Sequence, residues 1–376
     1  MQKISIGNLK TGMKIARSIY DGDGQLLLSK GMLLTDIYIK RLTELQIPSV
    51  YIERNMPHFN INYSNDKMID EDINNEKIRV SAIQNLSSAF DKCQLTGSLD
   101  TAVIVNTTQE IVNNILSNPF YLVQATDIRK YDDYTFAHSV NVCALSTVLG
   151  IMCQYPRQQL DELALGALLH DIGKIKISLD ILNKPSQLDD NEFEIMKTHS
   201  EIGFELLRKT TQLSVVPMHV AYQHHEKYDG SGYPRGLVGD NIHEYARIVA
   251  IADVFDALTS DRIYQEACLP HIAYEIMMDE GEKHFDKTLL NLFFDNVAIY
   301  PLGTAVQLSS GEYAIVTDIQ KGFTLKPQLQ LIANSNKTLI SPTEILDLQK
   351  IDTISIKRVL SEDELLELFS VDWMKY

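Results

Sequence analysis

Leu160-Asp161-Glu162-Leu163-Ala164-Leu165-Gly166-Ala167-Leu168-Leu169-His170-Asp171 is an apolar helical pattern that runs straight into a histidine and an aspartate. His170 falls on the stripe of Leu163 and Ala167, and Asp171 on that of Ala164 and Leu168, so both are predicted to point inward. A buried carboxylate costs several kcal/mol unless it is paired or bound to a metal. The same helical periodicity runs from about 98 to about 296. A helix beginning near Tyr134 carries Phe136, Val140, Ala144 and Val148 on one stripe and Val142, Leu145, Leu149 and Met152 on another. A helix apolar on most of its circumference lies inside a bundle. The fold class is therefore mainly α.

Two smaller regimes flank the bundle. Residues 1–55 read as a small α+β domain: a hairpin turn at Asp21-Gly22-Asp23-Gly24, a helix from Asp36 to Leu45, and a strand at Val50-Tyr51-Ile52. Residues 56–97 read as an Asn- and Asp-rich linker leading into a helix from Glu76 to Lys92. After Tyr300, short runs such as Ala305-Val306-Gln307-Leu308 and Tyr313-Ala314-Ile315-Val316 predict a small β-rich appendage over 300–376.

Thirty-four Lys plus Arg against fifty Asp plus Glu give a net charge of −16 over 376 residues. Such a chain repels polymeric nucleic acid, so a small anionic ligand needs metal ions or a few placed cations to reverse the local field. Cys93, Cys143, Cys153 and Cys268 form no C-x-x-C pair, which suits a reducing cytosol. No signal peptide is read at Met1–Gly7 and no run of eighteen apolar residues is read in the chain, so a soluble, cytoplasmic protein without a membrane partner is expected.

The chemistry sits in the bundle. His138 lies on an apolar stripe one turn before Val142, and His199 continues the stripe of Ile195, Ile202 and Leu206. His224-His225 closes a helical stretch, and Asp253 sits amid the apolar run Ala246–Phe255. Singly, each is an ordinary core histidine or a capping aspartate. Five histidines and two aspartates on inward stripes of one bundle point to something bound between them. Mixed imidazole and carboxylate ligands suit iron, manganese, zinc, cobalt or nickel rather than magnesium or calcium.

These residues resemble a known family. His138, then His170-Asp171, then Asp253 is similar to the H…HD…D signature of the HD phosphohydrolase superfamily. His224-His225-Glu226-Lys227-Tyr228-Asp229-Gly230-Ser231-Gly232-Tyr233-Pro234 is similar to the HHE-x-x-DG-x-GYP signature of its HD-GYP branch. His170–Lys174, Asn183-Lys184-Pro185 and Asp256–Arg262 agree as well, and the resemblance covers roughly 100 to 300. It implies an HD-GYP metal phosphohydrolase domain over 98–299, in a bacterial signalling protein. The implied activity is hydrolysis of cyclic di-GMP to pGpG, GMP or both by a two-metal-activated hydroxide.

By that resemblance His138, His170, Asp171 and Asp253 hold one ion. Asp171, His199, His224 and His225 hold the other, with Asp171 bridging, and iron or manganese is favoured. Lys174, one turn beyond His170, would contact the substrate and neutralise the transition state. Arg262 would take a phosphate with its planar guanidinium. The loop of Asp229, Gly230, Gly232, Tyr233 and Pro234 would shape the rim of the site or a partner surface. Some members hold a third metal through a carboxylate one turn before the first histidine. Here that position is Tyr134, with Asp133 out of phase, so a third ion is not expected. Ile263 and Gln265 also depart from the Pro and basic residue common after the arginine, which bears on substrate choice. Implied partners are cyclic di-GMP, diguanylate cyclase-type proteins and a second copy of the chain. The alternatives are a non-catalytic cyclic di-GMP receptor, a phosphodiesterase for another cyclic dinucleotide such as cyclic GMP-AMP, and a scaffold for protein contact.

Overall fold

The structure, a computed structural model, describes residues 2–16, 19–20, 26–45, 47, 49–53, 67–117, 134–210, 212–260, 267–320, 322–340, 344–361, 364–365 and 367–368. The N-terminal part holds β1 (Gln2–Ser5), β2 (Lys14–Ile15), β3 (Ile19–Tyr20), β4 (Leu26–Leu28), α1 (Asp36–Glu44) and β5 (Ser49–Glu53). The antiparallel sheet runs β1-β5-β2, with Ile4 opposite Val50 and Ile15 opposite Ile52. β3 and β4 pair across the expected hairpin, whose turn residues lie outside the described residues. Thr35 caps α1 by accepting a hydrogen bond from the Tyr38 amide at 3.3 Å. Ile15, Leu34 and Leu42 fill the small core beneath.

The bundle comprises α2 (Lys67–Thr96), α3 (Thr101–Ser117), α4 (Tyr134–Met152), α5 (Arg157–Leu168), α6 (Leu179–Leu182), α7 (Asp190–Lys197), α8 (His199–Arg208), α9 (Val216–Gln223), α10 (Glu244–Thr259), α11 (Pro270–Asp279), α12 (Gly281–His284) and α13 (Lys287–Phe294). α4 is its axis and packs against α2, α3, α5, α10 and α13. By length and composition Thr135–Met152 could cross a membrane, yet 78% of that window is buried inside the bundle. It is a core helix.

Two boundaries differ from the sequence reading. α2 starts at Lys67 rather than Glu76, and Ala82, Leu86, Phe90 and Cys93 are buried in the same core as α4 and α5. Apolar contact therefore draws this helix into the bundle, which begins earlier than residue 98. The stripe through Ile195 and His199 is also split: α7 ends before Thr198, and His199 opens α8.

Beyond the bundle, β6 (Ala305–Leu308), β7 (Tyr313–Asp318), β8 (Gln328–Ala333), β9 (Ile345–Asp347) and β10 (Ile356–Val359) form an antiparallel sheet in the order β10-β6-β7-β8-β9. β7 is buried on both faces, Ile315 toward Ile332 and Leu365, Ala314 and Val316 toward Leu329 and Leu348. The Thr324 hydroxyl donates to Phe294 O at 2.5 Å and the Gly322 amide to Asp295 O at 2.9 Å, tying this unit to the end of α13. The architecture is mainly α, with the two smaller β-containing parts expected on its flanks.

Candidate metal centre

α4 carries His138 to the middle of the bundle, and the end of α5 delivers His170 and Asp171 opposite it. His199 comes from the start of α8, His224 and His225 from the end of α9, and Asp253 from α10. Ligand atoms of Asp171, His199, His224 and His225 lie within 4.8 Å of one another, as do those of His138, His170 and Asp171, and those of His170, His224 and Asp253.

Asp171 belongs to the first two of these groups. Its Oδ1 lies 3.4 Å from His199 Nε2 and 3.8 Å from His224 Nε2, while Oδ2 lies 3.2 Å from His170 Nε2 and 3.9 Å from His138 Nε2. Burial pushes its carboxyl up, but the charges of His170 and Lys174 outweigh that and hold it well below the usual range. It is a carboxylate.

Backbone carbonyls set the tautomers. His170 Nδ1–H donates to Ala167 O at 2.7 Å, His199 Nδ1–H to Met196 O at 2.7 Å, and His224 Nδ1–H to Ala221 O at 3.0 Å. A carbonyl only accepts, so each ring carries a proton on Nδ1, and the neutral rings of His199 and His224 turn a bare Nε2 lone pair inward. His199 Nε2 and His224 Nε2 then face each other at 3.3 Å. Burial, foremost, keeps both rings from taking up a proton, with neighbouring imidazoles adding to the effect at His224. His170 Nε2 and Asp171 Oδ1 are buried without a hydrogen-bond partner among the described residues. Facing lone pairs beside an orphaned carboxylate oxygen are repulsive by themselves and become favourable around a divalent cation. The residues fit a metal.

His138 differs. Its Nδ1 lies 2.7 Å from Asp256 Oδ2 and its Nε2 3.0 Å from Asp253 Oδ1. Burial lowers its pKa, but the hydrogen bonds and charges of Asp253 and Asp256 overcome this and bring it up to about 9. A cation between His138 and Asp253 would take the place of the Nε2 proton. Asp256, 1% exposed and bonded to His138, is a position that the sequence reading quoted only within a motif. Its signal was available, since it follows Asp253 by one turn inside an otherwise apolar helix.

Lys174 Nζ reaches Asp171 Oδ2 at 2.5 Å with its side chain 24% exposed, at the edge between site and solvent. Gly173 beside it has no room for a side chain, because a Cβ there would fall 1.9 Å from His199 O. That contact presses the Ile172–Lys176 turn onto α8 and brings Asp171 to His199. The loop after His225 folds back in the same way. A Cβ on Gly232 would fall 2.2 Å from the Lys227 amide nitrogen, and buried Glu226 accepts hydrogen bonds from the Arg235 and Leu237 amides at 2.8 and 2.9 Å. Tyr233 is thereby laid on the His225 ring, centroids 4.8 Å apart, at the rim. Asp229 accepts from the Ser231 amide, and Gly230 takes a positive φ of 85° in the same turn. Arg262, Ile263, Gln265 and Asp133 lie outside the described residues.

Comparison with known proteins agrees with this geometry. Residues 111–289 match the HD domain family, and residues 305–368 match the KOW domain associated with HD domain. The chain is similar to the cyclic di-GMP phosphodiesterase PA4108 of Pseudomonas aeruginosa, 35% identical over 261 residues, 69% of this chain and 63% of that protein. It is also similar to the 3'3'-cGAMP-specific phosphodiesterase 2 of Vibrio cholerae, 37% identical over 191 residues, 50% of this chain and 35% of that protein. It thus spans less than two thirds of either curated relative. Among solved structures, Bd1817, an HDG"Y"P protein from Bdellovibrio bacteriovorus, shares the fold with a TM-score of 0.52 at 20% identity, covering 78% of this chain and 97% of that one.

Proposed function

We propose that this chain, whose residues 111–289 match the HD domain family, is a metal-dependent phosphodiesterase that hydrolyses cyclic di-GMP to pGpG, GMP or both. In this reading His138, His170, Asp171 and Asp253 hold one divalent ion. Asp171, His199, His224 and His225 hold a second. Bound there, the ions supply Lewis acidity and lower the pKa of a water toward neutrality. Iron or manganese suits the mixed imidazole and carboxylate donors.

The side chains divide the remaining work. Asp171, kept a carboxylate by its charged neighbours despite its burial and with one oxygen toward each histidine group, fixes the spacing of the two halves. Lys174 holds an ammonium at the solvent edge, where a phosphodiester oxygen gathering negative charge would meet it. Arg262 is assigned to a second phosphate contact. Tyr233, resting on His225, closes the rim against water. Residues 1–55 act as a regulatory or interaction domain and 300–376 as an accessory β-rich unit. A bacterial, cytoplasmic setting suits the four free cysteines. A second copy of the chain and diguanylate cyclase-type proteins are the macromolecular partners in this reading.

The observation that carries the reading is the pair of unprotonated Nε2 atoms, 3.3 Å apart, beside the orphaned oxygen of Asp171. The test is chromatography of products after incubation with cyclic di-GMP and with 3'3'-cGAMP. Release of pGpG or GMP from the first supports the proposal. The likeness to a cGAMP-specific relative favours one alternative, faster turnover of the second. Binding of either without any cleavage would make the protein a receptor.

A further inference from the structure

We infer that Arg79, on the long helix α2 and outside the matched HD domain residues, is a positioning residue that fixes the orientation of the His138 ring through two intermediaries. Arg79 is only 8% exposed, an unusual place for a guanidinium. Its Nε–H donates to Asn141 Oδ1 at 3.2 Å. The Asn141 Nδ2 then donates to Asp256 Oδ1 at 2.8 Å, and Asp256 Oδ2 takes the His138 Nδ1 proton at 2.7 Å. All four residues are buried, so water does not offer a ready replacement for any link.

The order of donors and acceptors gives the relay its direction. An arginine only donates, so it fixes the Asn141 amide with its oxygen toward α2 and its nitrogen toward α10. Without Arg79 the amide is free to turn, and an oxygen facing Asp256 would set two acceptors against each other. With the amide fixed, Asp256 Oδ1 is satisfied by Asn141 and by the Ser260 hydroxyl at 3.3 Å, which leaves Oδ2 for His138. His138 is then held with Nδ1–H outward and Nε2 toward Asp253 and Asp171. Arg79 Nη1 is buried with no hydrogen-bond partner among the described residues. α2 is the helix that follows the N-terminal domain along the chain, and Arg79 makes it part of the apparatus that shapes the site. The consequence for metal affinity rests on the two-ion reading above; the claim about ring orientation does not.

The test uses the full chain labelled with nitrogen-15 histidine. In metal-free protein the Nδ1–H signals of His138, His170 and His199 are followed by NMR, with His138→Gln to assign the first. Arg79→Met is expected to shift or broaden the His138 signal and leave those of His170 and His199 in place, since these donate to backbone carbonyls. Arg79→Lys, which keeps a donor in the slot, is expected to restore it in part. Asn141→Leu cuts the same relay in the middle and replaces Arg79→Met should that variant not fold. Metal titration then reads the consequence: one class of ion is expected to bind about 10–100-fold more weakly, the usual effect of losing an outer partner of a ligand, while the other class is unchanged. An unaltered His138 signal, or equal disturbance of all three histidines, overturns the inference. Should the unsubstituted protein bind no ion, the metal reading fails and the NMR result alone decides the relay.

Discussion

The Lys174 ammonium sits 2.5 Å from Asp171 Oδ2, the same oxygen that lies 3.2 Å from His170 Nε2. One carboxylate oxygen thus meets both His170, a ligand in the proposed reading, and the lysine three residues beyond Asp171. Lys174→Met leaves both histidine groups intact, so metal content should stay the same. Loss of the ammonium should slow turnover by roughly 10²–10³, as removal of a single charge-stabilising donor does elsewhere. Rate measurements under saturating cyclic di-GMP check this, and full activity would remove Lys174 from the mechanism.

Asp171→Asn keeps the shape and discards the charge that both histidine groups share. Its effect on ion binding should be at least as large as the 10–100-fold typical of outer partners, so about 10²-fold or more. Calorimetric titration with manganese, set beside product formation, should show both lost together. An Asp171→Asn protein that binds two ions normally would contradict the bridging assignment.

Gly173→Ala tests how the two halves are held together. The new Cβ would fall 1.9 Å from His199 O, a backbone atom that cannot step aside without moving α8. Overpacking of this kind costs about 1–3 kcal/mol. Denaturant unfolding should show that loss, with weaker ion binding by the group containing His199. Unchanged stability would mean that the turn and α8 are not pressed together.

Acid should weaken the metal-free protein. Burial, chiefly, makes His199, His224 and His225 resist protonation, His225 down to about 3. The unfolded chain takes up these protons near about 6.5, so their contribution to stability is present above that pH and lost as pH falls toward 3. His138 has the opposite sign. Its pKa stands at about 9 because Asp253 and Asp256 outweigh burial, so its contribution is complete below about 6.5 and lost as pH rises through 9. Three groups against one predict a falling denaturation midpoint between about pH 7 and about pH 5. A rising midpoint would contradict the neutral state of those rings.

Much of this was legible in the sequence because the bundle writes burial as periodicity. Leu163 and Ala167 point His170 inward, and Val142 does the same for His138, so the inner histidines could be read before any coordinates. Asp256 could not be given its role, since its meaning lies in Asn141 and His138, more than a hundred residues away along the chain. Arg79 was hidden by its surroundings. An arginine beside an Asn- and Asp-rich stretch reads as a solvated linker residue, and only the packing of Leu86 and Phe90 on α4 draws it inside. Gly173 and Gly232 are equally mute, because a close backbone approach leaves no mark in hydropathy.

The measurement that bears most directly on the account is the metal content of anaerobically purified protein, by elemental analysis, with His170→Ala in parallel. The account predicts two divalent ions per chain and a deficit in the variant. A full-length, folded protein that holds none after loading with iron or manganese would contradict it.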